Sequence, residues 1–339
     1  MKKTILTIIQ VLVTVGILYW IFRDPQKRHD MGESFKNSDK IWILAGIIAY
    51  GFVEVVATVR WQILLKVQGI SLSFFRVLSL LMIGILFNLF MPGGTGGDVI
   101  KIFYLLKETP GKKAGALLAV LMDRLIGLLG LIGFTGMILV SRYQWLSSTE
   151  ITRNLTWTLL AIMGASFGGI AFSFLITGFG LAQRLPQKMP LRDKLIDLSV
   201  AYSAYARAWK ASLGAFALSF AVHFGSFYVF FAATRAMRQT TPMLDIFGVM
   251  PIINTIAALP ISVGGAGIRE KLFENMLGNL CGIQPAVAVA ISLTGFIVLV
   301  FWAIIGGILY LFYRPSEHAR MSEMESTVHD LEHEVAGEE

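Results

Sequence analysis

"NLFMPGGTGGDVIK", residues 88–101, interrupts a largely apolar chain with proline, glycine and charge. An apolar run over residues 77–91 leads here into a proline, four glycines within five residues and an aspartate. A second stretch, "LPISVGGAGIREK" at residues 259–271, repeats the pattern of proline, glycines and charge. Unpaired backbone cannot face lipid, so an irregular loop at membrane depth must face protein or a water-filled cavity. The two stretches therefore predict two broken helical segments inside a membrane protein.

The composition places the chain among integral membrane proteins. Of its 339 residues, 55% are hydrophobic and only 15% are charged, whereas soluble domains are about one quarter charged. The net charge of +7 is interpreted as a report on orientation, because basic residues mark the cytoplasmic loops of membrane proteins. No nucleic-acid partner is expected. The single cysteine, Cys281, cannot form an internal disulfide and is expected to be a buried apolar residue.

Six stretches are long and apolar enough to cross a bilayer, which takes about 20 helical residues. They cover residues 4–22, 41–59, 114–140, 155–182, 211–234 and 285–313. The first follows "MKK", as a signal peptide would, but its apolar part is too long and no small-residue cleavage site follows. A retained anchor is therefore expected. The two glycine-rich segments, residues 77–106 and 244–280, either cross the membrane or enter and return on one side.

Basic residues predict the orientation. They are concentrated in residues 101–113 and 184–210, which are therefore expected to be cytoplasmic, while the loop 141–154 carries two arginines and fits the far side. If both glycine-rich segments are re-entrant, the six spans place both termini in the cytoplasm. The expected location is the inner or plasma membrane of the cell. The loop 23–40 is an exception to this charge rule, because it then lies outside although it contains five basic residues.

The two glycine-rich segments are related to each other. Residues 93–96, "GGTG", align with residues 264–267, "GGAG", and an asparagine and a proline precede each copy. In the topology above the two hairpins enter from opposite sides, which makes an inverted repeat of the kind common in secondary transporters. The predicted fold is an all-α polytopic membrane protein with about six transmembrane helices and two re-entrant hairpins. Its parts are an anchor helix and loop (1–40), a first repeat (41–140, hairpin 77–106), a linking helix and cytoplasmic loop (141–210), a second repeat (211–313, hairpin 244–280) and a cytoplasmic tail (314–339).

The glycines have two interpretations. Glycine lets backbone N–H groups approach a ligand, and Asp98 and Ile268 would open short helices whose positive N-terminal ends bind phosphate or carboxylate. Alternatively, the glycines only permit close helix packing. Two copies, each with a proline before and a charge after, favour a binding site.

Ionisable residues within spans are functional candidates because a charge at bilayer depth is costly. Arg124 is the first candidate for a phosphate ligand, since a guanidinium offers a planar fork to phosphate. Alternatively, Asp123 or Glu54 neutralises Arg124 within the bundle, and Glu54 is otherwise a proton or cation site. His223 is interpreted as a core histidine. The candidate substrate-binding residues are Asn88, Gly93, Gly94, Gly96, Gly97, Asp98 and Lys101 of the first hairpin, Asn254, Gly264, Gly265, Gly267, Arg269 and Glu270 of the second, and Glu54, Asp123 and Arg124 of the spans.

Snorkelling towards the headgroups is expected for Arg60 and Lys66, which close the second span. The chain shows no Ser-His-Asp pattern, cysteine pair, HExxH motif or Walker loop. His329 and His333 have no third ligand, so neither a metal site nor a cofactor is expected, and the chain is not expected to be an enzyme. Transport would be passive, ion-coupled or driven by a partner.

Three motifs carry a family resemblance: "FNLFMPGGTGGDVIK", the pair Asp123-Arg124, and "LPISVGGAGIRE". They resemble the lysylphosphatidylglycerol synthase transmembrane-region family, which includes the flippase-like membrane domain of the multiple peptide resistance factor. The resemblance covers about residues 41–313 and implies handling of a phospholipid or polyprenyl-phosphate lipid. Two-domain members add a soluble aminoacyl-transferase domain. Only residues 314–339 follow here, so we expect that this chain does not perform that synthesis alone.

The expected function is a lipid transporter or flippase whose partner is a membrane lipid with an anionic phosphate headgroup. The first alternative is an accessory subunit or enzyme that acts on a lipid-linked substrate. The second is a small-solute or ion transporter or a scaffold. A separate lipid-modifying enzyme is a further possible partner. In the tail, apolar residues recur at 3-4-3-4 spacing from Met321 to Val335. This pattern predicts a short helix that forms a homodimer contact or docks on the membrane domain.

Overall fold

The computed structural model describes residues 2–90, 96–109, 112–178, 196, 203–259 and 261–313. The regular elements within these ranges are all helices, with no β-strand among them. We number them α1 (Lys2–Phe22), α2 (Pro25–Lys36), α3 (Lys40–Val67), α4 (Phe74–Phe90), α5 (Gly96–Glu108), α6 (Lys113–Leu146), α7 (Glu150–Gly178), α8 (Trp209–Ala236), α9 (Met243–Ala257), α10 (Ile268–Cys281) and α11 (Pro285–Phe312), with a 3₁₀ turn at Val263–Gly265. The predicted tail, 314–339, and most of the predicted cytoplasmic loop lie outside the described residues.

Five of the described helices are long and apolar enough to cross a membrane. They are Lys40–Val67, Gly115–Leu146, Glu150–Phe172, Trp209–Ala236 and Pro285–Phe312. These five coincide with predicted spans, the fourth span of the sequence being described as far as residue 178. The remaining predicted span, 4–22, coincides with α1, whose 21 residues reach about 31 Å at 1.5 Å per residue.

Each glycine-rich segment consists of two short helices. α4 has 17 residues and α5 has 13, while α9 has 15 and α10 has 14. A helix of 17 residues is about 25 Å long, less than the roughly 30 Å of the hydrocarbon core. In the first segment α4 ends at Phe90 and α5 begins at Gly96, and in the second α9 ends at Ala257 and α10 begins at Ile268.

Polar contacts join the loops at one end of the bundle. Arg76, in the first turn of α4, forms an ion pair with Glu108, the last residue of α5. The Tyr313 hydroxyl, just after α11, also donates to Glu108 at 2.8 Å. Lys112, before α6, donates to the carbonyl oxygen of Gly69, after α3. All these loops belong to the side that the sequence predicts to be cytoplasmic.

A second set of contacts joins the opposite ends of the same spans. The Asp39 N–H donates to the Ala236 carbonyl at 2.8 Å, which ties the start of α3 to the end of α8. Arg142, near the end of α6, pairs with Asp245, in the first turn of α9, at 2.9 Å. Helix α2 packs through Met31 on the start of α11. The loop 23–40, the exception to the charge rule, therefore lies with the other loops predicted to be outside.

Close helix packing explains part of the glycine content. A Cβ added at Gly97 would collide with the Gly84 carbonyl oxygen, so α5 lies directly against α4. A Cβ added at Gly306 would likewise collide with the Met82 carbonyl oxygen, where α11 crosses α4. The packing interpretation therefore holds for Gly97. The second tip differs, because Gly264, Gly265 and Gly267 have φ of 57°, 75° and 83°, a region that other residues rarely adopt.

Candidate functional site

Asp123 pairs with Arg60 inside the bundle. The Arg60 guanidinium binds the Asp123 carboxylate through two hydrogen bonds of 2.9 and 3.2 Å and donates a third, 3.1 Å long, to Ser219 on α8. Both side chains are about nine-tenths buried, at 10% and 11% exposed. The prediction that Arg60 snorkels to the headgroups is therefore wrong, because a buried carboxylate on α6 holds it. Lys66 is exposed, as snorkelling requires.

Asp98 is the counter-ion of Arg124. It lies in the first turn of α5, where its Oδ2 accepts from Arg124 Nε on α6 and its Oδ1 accepts from Lys101 Nζ at 2.6 Å. The alternative that Asp123 or Glu54 neutralises Arg124 is therefore wrong. Adjacent residues point about 100° apart on a helix, so Asp123 and Arg124 serve different partners. Arg124 remains 48% exposed.

Glu54 completes a cluster of six charges. It is 7% exposed and interacts electrostatically with Lys101 and Arg60. The other carboxylates of the cluster are Asp98 and Asp123, and its third base is Arg124. The formal charges of its three acids and three bases sum to zero. Among these bases, Glu54 therefore interacts with Lys101 and Arg60 rather than with Arg124.

Arg269 and Glu270 form a separate buried pair in the second half. Arg269 donates to Glu270 Oε1 through Nε at 3.0 Å and Nη2 at 2.8 Å. The Ser292 hydroxyl on α11 donates to the same oxygen at 2.9 Å. The guanidinium also lies 4.9 Å from the centroid of the Phe296 ring. Glu270 is 1% exposed and Arg269 is 12% exposed.

Two backbone donors expected to face a ligand are used inside the protein. The Gly97 N–H donates to Asn88 Oδ1 at 2.8 Å, and the Gly267 N–H donates to Glu270 Oε2 at 2.6 Å. The expectation that both N–H groups bind substrate phosphate is therefore wrong for these two. Their acceptors instead fix the start of α5 and α10 within the protein.

Helix α1 supports the second glycine tip, a role that the sequence did not indicate. Thr14 accepts a 2.8 Å hydrogen bond from the Val263 N–H. A Cβ added at Gly267 would lie 2.9 Å from the Ile17 Cβ, so glycine is needed for this approach.

The two halves meet at a cavity of about 460 Å³. Its described lining combines Asn88 and Arg124 from the first half with residues of the second glycine segment and one residue of α11: Asn254, Ala257, Ala258, Leu259, Ser262, Gly264, Gly265, Arg269 and Leu299. The Ser262 hydroxyl is buried and has no hydrogen-bond partner among the described residues. An adjoining cavity of about 290 Å³ shares Asn88, Gly264 and Leu299 and adds Thr14, Tyr50 and Phe296.

Several predicted site residues lie behind this cavity rather than on its wall. Those absent from its described lining are Glu54, Gly96, Gly97, Asp98, Lys101, Asp123, Gly267 and Glu270. Gly93 and Gly94 lie outside the described residues. The structure thus divides the predicted set into lining residues and residues that neutralise or position them.

Two residues outside the site are also accounted for. His223 lies 3.0 Å through Nε2 from the Gly127 carbonyl oxygen, in agreement with its interpretation as a core histidine. Cys281 is only partly buried, so the expectation of full burial is wrong. Within the described ranges, no three His, Cys, Asp or Glu side chains are grouped as a metal site requires.

The comparisons with known proteins agree with the motifs. The family model described as "Lysylphosphatidylglycerol synthase TM region" matches residues 7–307. The UPF0104 membrane protein PH1989 of Pyrococcus horikoshii is 23% identical over 341 residues, which cover 92% of this chain and 97% of that protein. The UPF0104 membrane protein MJ1595 of Methanocaldococcus jannaschii is 25% identical over 167 residues, 48% of each chain. Together with the spanning helices, these matches confirm the predicted family, and the chain is a multi-pass membrane protein that belongs to the lysylphosphatidylglycerol synthase TM region family.

Proposed function

We propose that this protein moves a phospholipid or a polyprenyl-phosphate lipid between the leaflets of the membrane. The observation that carries the proposal is the cavity between the halves, where Arg124 and Arg269 line one space with the second glycine tip. Two guanidinium groups that approach one space from different helices suit an anion with several oxygens. The lipid phosphate occupies this cavity while the acyl chains stay in the bilayer.

The physical advantage lies in the environment of the charge. An isolated anion in hydrocarbon costs tens of kcal/mol by Born solvation. Preorganised donors lower that cost because they replace the hydration shell of the phosphate. Arg124 is the better placed of the two arginines, with 48% exposure against 12% for Arg269. The Ser262 hydroxyl and the amides of Asn88 and Asn254 supply neutral donors on the same wall.

The same proposal includes two re-entrant hairpins in inverted orientation. The ion pair between Arg76 and Glu108 joins the start of α4 to the end of α5, as a segment that enters and returns on one side requires. In the second segment, Ile246 near the start of α9 and Cys281 at the end of α10 belong to one hydrophobic cluster. Movement of one half against the other then exposes the cavity to each leaflet in turn, with both termini in the cytoplasm.

Reconstitution into vesicles tests the proposal. Purified protein is inserted into liposomes that contain fluorescent phosphatidylglycerol, phosphatidylethanolamine or an undecaprenyl-phosphate analogue, and the fraction of label protected from an external quencher is followed. We expect faster loss of protection than in protein-free vesicles for at least one of these lipids. Arg142→Ala is the matched control, because Arg142 pairs with Asp245 at the end of the bundle and should not change the rate.

The outcomes separate the alternative functions. No acceleration for any phosphate lipid, together with release of a trapped ion or small solute, would favour a solute transporter. Chemical change of the lipid in the same vesicles, detected by mass spectrometry, would favour an enzyme of lipid-linked substrates. The first result would contradict the proposed lipid transport, and the second would contradict it when leaflet protection of the unmodified lipid is lost no faster than in protein-free vesicles.

A further inference from the structure

We infer that Asp98 is a displaceable counter-ion: a lipid phosphate takes its place on Arg124, while Lys101 keeps the released carboxylate neutralised. The inference rests on the proposed function, since it assigns the step by which the same cavity accepts its anion. It makes Asp98 and Lys101 positioning residues that set the affinity of Arg124 for phosphate, although neither is among the described residues that line the cavity.

The bonding of Asp98 allows such an exchange. Its two carboxylate oxygens serve different bases, Oδ2 binding Arg124 and Oδ1 binding Lys101 at 2.6 Å. Loss of the Arg124 contact therefore leaves the Lys101 contact intact. Arg124 is 48% exposed and Lys101 is 13% exposed, so an anion in the cavity reaches Arg124 and not Lys101. Of these three residues only Arg124 lines the cavity, while Asp98 and Lys101 are largely buried.

Asp98 keeps a second source of stabilisation after it leaves Arg124. It lies in the first turn of α5, and the positive N-terminal end of a helix favours a carboxylate there. The start of this helix is fixed independently, because the Gly97 N–H donates to Asn88. The nearby Asp123 carboxylate is engaged by Arg60 through two hydrogen bonds and acts on Lys101 only electrostatically, so the direct contact of Lys101 with Asp98 is left in place.

The pair in the second half lacks this freedom. Glu270 is 1% exposed and accepts from Arg269, from Ser292 at 2.9 Å and from the Gly267 N–H at 2.6 Å. Its two bonds from Arg269 use two of the five N–H donors of a guanidinium, so Arg269 contributes to the cavity wall without leaving Glu270. The exchange is therefore assigned to Arg124 and Asp98 alone.

Opposite changes in affinity follow for the two positioning residues. Asp98→Asn replaces the charged competitor for Arg124 with a neutral amide. Hydrogen bonds to an ionised acceptor are roughly twice as strong as neutral ones, so the amide is displaced more easily and phosphate should bind about tenfold more tightly or better. Lys101→Gln leaves Asp98 with Arg124 as its one strong partner and should weaken phosphate binding. A purely structural role for Asp98 predicts loss of affinity, not gain. Asp98→Glu retains the competing charge and should stay near the wild type.

The experiment measures the affinity of the purified, detergent-solubilised full chain for short-chain phosphatidylglycerol by calorimetry. A parallel series uses inorganic phosphate. Glu108→Gln is the matched control, an acid-to-amide change on the same helix whose carboxylate pairs with Arg76 away from the cavity. The double variant Asp98→Asn/Arg124→Gln is also measured, and the gain in affinity caused by Asp98→Asn should disappear in it.

Tighter lipid binding by Asp98→Asn, lost in the Arg124→Gln background, would support the exchange. An unchanged or weaker affinity, in a protein whose wild type binds the lipid through Arg124, would overturn the exchange and leave the proposed function standing. Binding that is equal in the wild type and in Arg124→Gln would overturn both. A gain seen with inorganic phosphate alone would support displacement of Asp98 and contradict a lipid cargo.

Discussion

Asp123→Asn should destabilise the fold strongly, whereas the neighbouring Arg124→Ala should not. Asp123 and Arg60 are about nine-tenths buried and joined by two hydrogen bonds, and removal of one partner of a buried ion pair costs about 3–5 kcal/mol. Unfolding entropy of about 2.1 cal/mol/K per residue over 339 residues is roughly 0.7 kcal/mol/K. The expected fall in melting temperature is therefore about 4–7 °C.

Arg124 is 48% exposed, and its partner Asp98 keeps Lys101, so the loss for Arg124→Ala should be about 1 kcal/mol or less. The assay is thermal unfolding in a mild maltoside detergent, followed by tryptophan fluorescence and by size-exclusion chromatography after heating. The double variant Arg60→Met/Asp123→Leu should recover much of the loss, because an apolar pair of similar volume leaves no orphaned charge. Asp123→Asn melting within 1 °C of the wild type would refute the assigned pairing, as would a double variant no more stable than Asp123→Asn.

Three further predictions concern the second glycine tip, the topology and the tail. Gly264→Ala should lose only about 1–2 kcal/mol, the cost of a left-handed φ, because no atom lies within 4 Å of the added Cβ. Gly265→Ala should lose more, because its Cβ would lie 2.8 Å from the Ala257 carbonyl oxygen. Equal melting temperatures for the two variants would contradict this difference. Deletion of residues 316–339 should weaken self-association in light scattering, and an unchanged oligomer would remove the dimer-contact hypothesis. In a Cys281→Ser background, membrane-impermeant maleimide should label single cysteines from the cytoplasm at Lys112 and Lys188 and from outside at Ser147 and Gln239, and labelling of Lys112 and Lys188 from opposite sides would exclude the proposed re-entrant topology.

Hydrophobicity and glycine spacing predicted much of the architecture. Long apolar runs become helices because lipid leaves the backbone no other partner for its hydrogen bonds. The division of each glycine-rich segment into two short helices was predicted from a proline followed by several glycines, a combination that disfavours helix more than the single Pro251 inside α9 does. Arg124 and Arg269 were both among the candidate substrate-binding residues, and both line the same cavity.

The pairing of the charges could not be predicted, because it depends on how each helix is rotated about its axis. The rotation of α6 that directs Arg124 to Asp98 also directs Asp123 to Arg60. The uniformly apolar spans contain little hydrophobic periodicity from which that rotation could be predicted. Arg60 was assigned to the headgroups for the same reason. The contact of Thr14 with Val263 joins residues far apart in the chain, and nothing local to either residue indicates it.

The initial rate of lipid movement by Arg124 variants distinguishes a phosphate ligand from a purely structural ion pair. Wild type, Arg124→Ala and Arg124→Lys are reconstituted at equal protein density into vesicles with the labelled phosphate lipid that the wild type moves fastest, and loss of leaflet protection is timed. We predict that Arg124→Ala reduces the rate to that of protein-free vesicles while its melting temperature stays close to the wild type. Arg124→Lys should keep part of the rate, because an ammonium retains the charge but not the bidentate fork. Lipid movement by Arg124→Ala at the wild-type rate would contradict the account and leave Arg124 as a structural partner of Asp98.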